Sequence, residues 1–99
     1  MVTEALIPKL RERVGRSDMP QARVLFELNG EGALFVDATS SPPSIEARRD
    51  DADVTIEISP GHLDDVLDGR LDPTVAFMTG RLKVRGAMPI AMQLAKVLA

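Results

Sequence analysis

From Val24 to Arg85 the chain moves between two hydrophobic periods. "VLFEL" puts Val24, Phe26 and Leu28 on one face, and "ALFVDA" does the same for Leu34, Val36 and Ala38, the period of two that half-buried strands require. Between them "NGEG" supplies Asn29, Gly30 and Gly32, which tolerate the positive φ of a tight hairpin. The prolines of "SSPPS" mark a turn. "SIEAR" then offers Ile45 and Ala47, and "DVTIEI" offers Val54, Ile56 and Ile58 against Thr55 and Glu57. These four segments predict an antiparallel meander with one buried face and one mostly wet face. Leu25 and Phe35 are the apolar exceptions on the wet side.

Helical spacing governs most of what remains. Leu6, Leu10 and Val14 recur at helical intervals in residues 3–14, with Glu4 near the positive end and Arg11 and Arg13 near the negative end. Pro8 predicts that this helix begins near it or kinks there, because proline breaks the ladder of an uninterrupted helix. Further on, Ser59 can cap a helix with Pro60 in its first position, Leu63, Val66 and Leu67 form its stripe, and Gly69 stops it. Asp72 and Pro73 repeat that start, and Gly80 repeats that stop. "RLKVR" then alternates, with Leu82 and Val84 inward and Arg81, Lys83 and Arg85 outward. Gly86 lets the chain reverse closely before a last helix in which only Gln93 and Lys96 are plainly polar between Met88 and Leu98.

Five strands supply about a dozen inward apolar side chains, and only the helices can cover that face. The expected fold is therefore α+β and two-layered, a five-stranded, mainly antiparallel sheet with helices packed on one face. No internal repeat and no long linker divides the chain, so residues 1–99 are expected to form one domain.

Composition narrows the function classes. With 44% hydrophobic and 27% charged residues the chain is globular in type, and no apolar run approaches the length of a membrane span. The start lacks a basic segment followed by an uninterrupted apolar one, which predicts no signal peptide and a cytoplasmic protein. The absence of cysteine removes disulfides, thiolate ligands and a cysteine nucleophile together. A net charge of −3 and three aromatic residues argue against nucleic acid as a partner.

Candidate chemistry is sparse. His62, the one histidine, stands beside Asp64, Asp65 and Asp68 at a predicted helix start, where acids complement the helix dipole; a metal or proton-transfer site would need separated ligands or a base with its orienter. Asp50, Asp51 and Asp53 lack the glycine and terminal glutamate of a calcium loop and read as a solvated turn. Arg81, Lys83 and Arg85, with Arg48 and Arg49, suit either an anion or membrane surface or, more simply, pairing with Glu27, Asp37, Glu46 and Glu57 across the wet face. No nucleophile elbow, phosphate loop or dinucleotide fingerprint is present, so the expectation is no catalytic residue, no metal, no cofactor and no enzyme activity.

The last helix is different. Apolar nearly all round, it needs contact on two sides, and the sheet beneath supplies one. Neighbouring helices or a second subunit can complete its burial; alternatively the layers leave a cavity in which Met78, Met88 and Met92 adapt to a ligand.

Residues 52–98, "ADVTIEISPGHLDDVLDGRLDPTVAFMTGRLKVRGAMPIAMQLAKVL", resemble the sterol carrier protein 2 domain family, in the form of a small prokaryotic member. The resemblance lies in an ordered set: a "DVTI" strand, a short helix ending in "DGRLDP", then "AFMTGRLKVRG", then a methionine-bearing helix, with Phe77, Gly80, Leu82, Lys83, Gly86 and Met88 at the family's spacing. It implies an apolar tunnel between sheet and helices and non-enzymatic carriage or presentation of a fatty acid, acyl-CoA, isoprenoid or sterol. The tunnel would be bounded by Phe26, Val36, Ile56, Phe77, Met78, Met88, Met92 and Leu94. The alternative is an accessory domain of the same fold with a filled cavity, using Leu25, Phe35 or the last helix to form a homodimer or to join a lipid-handling enzyme. Transient membrane contact is a further expected partnership.

Overall fold

The alternation along Val24–Leu28 is matched in phase by the strands on both sides of it, and this builds the sheet. A computed structural model describes residues 2–16, 19–40 and 42–98. Its elements run α1 (Val2–Arg16), β1 (Arg23–Glu27), β2 (Ala33–Asp37), β3 (Ser44–Glu46), β4 (Val54–Ile58), α2 (Pro60–Leu67), α3 (Pro73–Met78), β5 (Leu82–Gly86) and α4 (Met88–Leu98). The strands form one sheet in the order β3-β2-β1-β4-β5. Inward side chains line up in rows across it, Ile45, Val36, Val24 and Val54 in one and Leu34, Phe26, Ile56 and Val84 in the next.

The four-strand antiparallel meander holds only through β3. Strand β4 returns to the free side of β1 and pairs with it in parallel, Val24 facing Val54 and Phe26 facing Ile56. Beside the three-residue β3, the buried Val54, Ile56 and Ile58 would hang at the sheet's far edge. Beside β1 they lie inside the sheet, between β1 and β5, where the helix layer shields them.

The helices cover one face. α1 lies against β2 and β3, and α4 lies against β4 and β5. α1 is continuous through Pro8, which stands exposed, rather than starting at it. An interior proline costs about 3 kcal/mol, whereas burying Leu6, Leu10 and Val14 contributes about 1.5–3 kcal/mol for each side chain, so the stripe prevails. Lys9 clamps α1 to α2 through Asp64 and through Asp68, at 3.0 Å from the latter. The hydrogen bond to Asp64 holds the Lys9 ammonium above the usual lysine range, so this link persists through neutral pH and is lost as pH rises through that elevated value.

The opposite face is drier than its alternation implies. Leu25, Ala33 and Phe35 are buried there, with Ala52 packed against them and the Arg48 guanidinium 4.6 Å from the centre of the Phe35 ring. The segment between β3 and β4 folds over both exceptional residues, which takes them out of reach as an interaction surface.

Asp53 joins three chain segments. Its backbone N–H donates to Arg23 O at 2.9 Å, its Oδ2 accepts from Arg23 N at 2.9 Å, and its carbonyl accepts from Ala87 N at 3.0 Å. Although exposed, it fixes where β4 meets β1 and where α4 begins, so it does more than occupy a solvated turn. Gly86 crosses this junction at φ +111°, and a Cβ there would lie 2.5 Å from Asp53 O. Gly86→Ala is therefore expected to lower stability by about 3 kcal/mol, read as a drop in the urea midpoint. Gly15→Ala, on the open side of α1 with nothing within 4 Å, is expected to leave it unchanged or raise it slightly in the same measurement.

Candidate functional site

α3 is short and held by its ends. Asp72 Oδ1 accepts from Thr74 N at 2.7 Å and from Val75 N at 3.4 Å, Pro73 takes the first position, and Gly80 leaves at φ +77°. Six residues give less than two turns, so only Pro73 and Ala76 are buried while Phe77 stays 48% exposed and Met78 76%. β5 then forms the sheet edge with Leu82 buried and Val84 half-buried. After Gly86, α4 returns over β4 and β5, burying Ala91, Leu94, Val97 and Leu98 and leaving Met88 45% and Met92 66% exposed.

Between α3, β5 and α4 the layers do not close. A cavity of about 430 Å³ opens there, within the size range of small-molecule sites. Ile56, Leu82, Val84, Ala91 and Leu98 line it from the sheet and core side, Pro73, Thr74 and Phe77 from α3, and Met88, Met92, Gln93, Ala95 and Lys96 from α4. The lining is overwhelmingly apolar. Its one carboxylate, Asp72, is occupied in capping α3.

The residues expected to bound a tunnel divide accordingly. Ile56, Phe77, Met88 and Met92 meet on the cavity. Phe26, Val36 and Leu94 are buried in the core and Met78 points to solvent, all four outside the lining. Leu82, Val84, Ala91, Ala95, Gln93, Lys96 and Leu98 also line it. The inward phase of "RLKVR" and the spacing of α4 carried the signal for most of these.

The polar clusters are used elsewhere. The His62 backbone N–H donates to Ser59 Oγ at 3.2 Å, and Arg70 lies 3.2 Å from Asp65 and 3.1 Å from Asp68. No group of histidine and carboxylates that could hold a metal ion occurs among the described residues. Across the far face Arg49 pairs with Glu27 and Arg85 with Glu57, each at 2.9 Å, and Arg48 with Glu46 at 3.5 Å. Arg23, which the charge pattern did not single out, lies 3.6 Å from Asp37.

Over residues 8–99 the sequence matches the profile of the SCP-2 sterol transfer family. The chain belongs to that family. Hydroxysteroid dehydrogenase-like protein 2 of Homo sapiens is 38% identical over 82 residues, which is 79% of this SCP-2 chain and 20% of the human protein. The chain thus spans about a fifth of the length of the curated relatives it matches first. Sterol carrier protein 2 like 2 of Aedes aegypti has a TM-score of 0.74 at 20% identity, covering 98% of this chain and 96% of that one. Sterol carrier protein-2 of the same organism, solved in complex with a C16 fatty acid, palmitate, also scores 0.74, at 14% identity over 100% and 96% of the two chains. At these identities the structural likeness is one of SCP-2 fold. No helix among the described residues is long and apolar enough to cross a membrane.

One cation secures the α4 wall from behind. Arg13 Nη1 donates to Leu98 O at 2.9 Å and Nη2 to Leu67 O at 2.8 Å, so a single guanidinium joins the C-terminal ends of α2 and α4 to α1. Arg13→Ala is expected to cost about 2 kcal/mol of stability, with amide protection lost first in the last turn of α4 in hydrogen-exchange measurements. Arg13→Lys recovers little, because one ammonium lacks the guanidinium fork that serves both carbonyls.

Proposed function

We propose that residues 1–99 act as one non-enzymatic lipid-binding domain in the cytoplasm, holding a fatty acyl chain, isoprenoid or sterol-like molecule in the cavity between α3, β5 and α4 for carriage or presentation. The observation that carries this reading is the cavity, about 430 Å³ of apolar-lined space with Phe77, Met88 and Met92 exposed around it. Membership of the SCP-2 family and the palmitate-bound fold relative from Aedes aegypti support it. The mechanism is sequestration. Each methylene moved from water contributes about 0.8 kcal/mol, so a dozen contribute on the order of 10 kcal/mol before the entropy of binding is subtracted. Methionines on the rim suit ligands of varied shape, since an unbranched thioether adapts at low cost. Of the eight residues from Phe26 to Leu94 named as tunnel walls, Ile56, Phe77, Met88 and Met92 then touch the ligand, Phe26, Val36 and Leu94 support them from the core, and Met78 takes no part in the wall.

A second reading is an accessory lipid-binding domain that serves an adjoining enzyme. The match to only a fifth of hydroxysteroid dehydrogenase-like protein 2 favours it, since that relative has much sequence beyond the shared part.

Native mass spectrometry of the protein purified from cells, followed by lipid extraction, tests the main reading; a reproducible co-purifying lipid is expected, and a chain that takes up no fatty acid or sterol would sink it. Ala95→Phe, which fills the cavity from a half-buried position, is expected to weaken uptake by about tenfold or more while leaving the urea midpoint near that of the parent. His62→Ala is expected to leave uptake unchanged, which separates this site from one built on the histidine.

A further inference from the structure

We infer that Lys96, assisted by Gln93, anchors the head of the bound molecule and selects chains that end in an anion. This rests on the lipid-binding reading above and adds to it a chemical class and an orientation.

Charge is scarce on the cavity. Of its fourteen lining residues two are ionic, and the Asp72 carboxylate is engaged by the backbone of its own helix. Lys96 faces the cavity with no hydrogen bond or ion pair among the described residues, and so does the Gln93 amide. The two are three residues apart on α4, which makes them neighbours on the helix surface. An ammonium and an amide N–H therefore stand side by side at the edge of a hydrocarbon-lined space, both able to donate and neither with an acceptor among the described residues. A carboxylate or phosphate at the end of an acyl chain meets both needs at once.

The geometry also sets the direction of the chain. Met88, Met92 and Lys96 recur every four residues along α4, so the cavity edge runs from thioethers to ammonium over about 12 Å of helix. A head held at Lys96 sends its tail back toward Met88, Leu82 and Val84. A lysine in the last turn also complements the helix dipole, but that benefit does not depend on facing the cavity or on a glutamine beside it. The negative end of α4, which would repel an incoming anion, is itself moderated, because the Leu98 carbonyl accepts from the Arg13 guanidinium.

The test titrates palmitate, hexadecyl phosphate and methyl palmitate, three ligands of similar tail and different head, against the full chain and against Lys96→Gln, by displacement of a neutral fluorescent lipid at low salt. At least one anionic lipid is expected to bind the parent about two- to fivefold more tightly than the ester, the range of an exposed ion pair. Lys96→Gln removes that preference, and added salt shrinks it in the parent. Palmitate ahead of the phosphate assigns a carboxylate head, and the reverse order a phosphate head. A parent with no preference, or a preference that survives Lys96→Gln, overturns the role of Lys96 while ester binding keeps the cavity reading intact. If the ester fails to bind as well, both fall together.

Discussion

The close approach of Gly86 to the carbonyl of Asp53 is the constraint on which the rest of the architecture hangs. That carbonyl accepts from Ala87 N, while the same residue's N–H and carboxylate hold Arg23 at the start of β1. The central parallel pair, the edge strand and the start of α4 are thus referred to one residue. Because α4 leaves the sheet at that point, its angle over β4 and β5 follows, and with it the gap between α4 and α3. No side chain could occupy position 86 without pushing the two backbones apart.

Beyond that junction the sheet and helices divide their work unevenly. Under α1 and α2 the packing is complete: Leu10, Leu28, Leu34, Ile58 and Leu63 are all essentially removed from solvent. Under α3 and the outer face of α4 it is not, since α3 is too short to bring Phe77 and Met78 down onto the sheet. A chain of this size has little core to spare, and here the well-packed half supports a half that stays open. Arg13 belongs to this division, because it ties the end of α4 to the rigid side while the methionines of the same helix face the space.

Much of this was legible in the alternation and the caps. The phases of Val24, Phe26, Leu34, Val36, Ile45, Ile56 and Leu82 announce five strands with one buried face, and Ser59-Pro60 and Asp72-Pro73 mark two helix starts that the structure repeats residue for residue. Periodicity says which face a strand buries and nothing about its neighbour, which is why β4 beside β1 in parallel was not foreseen. The burial of Leu25 and Phe35 depends on the irregular segment around Arg48 and Ala52, and such segments carry no period. For the site, the same limit recurs in another form. An inward residue meets either another side chain or empty space, and Phe26 and Val36 meet the first while Ile56 meets the second. The exposed methionines of α4 were the better signal, because an apolar helix with one face covered leaves its other face to account for.

Those methionines have a consequence in redox chemistry. The chain has no cysteine, so its thioethers are its oxidisable sulfurs, and Met78, Met88 and Met92 hold theirs at the surface. Oxidation to sulfoxide would turn a flexible, apolar edge polar and chiral without touching the packed half of the fold. A cavity whose affinity comes from excluding water would then be wetted at its entrance first.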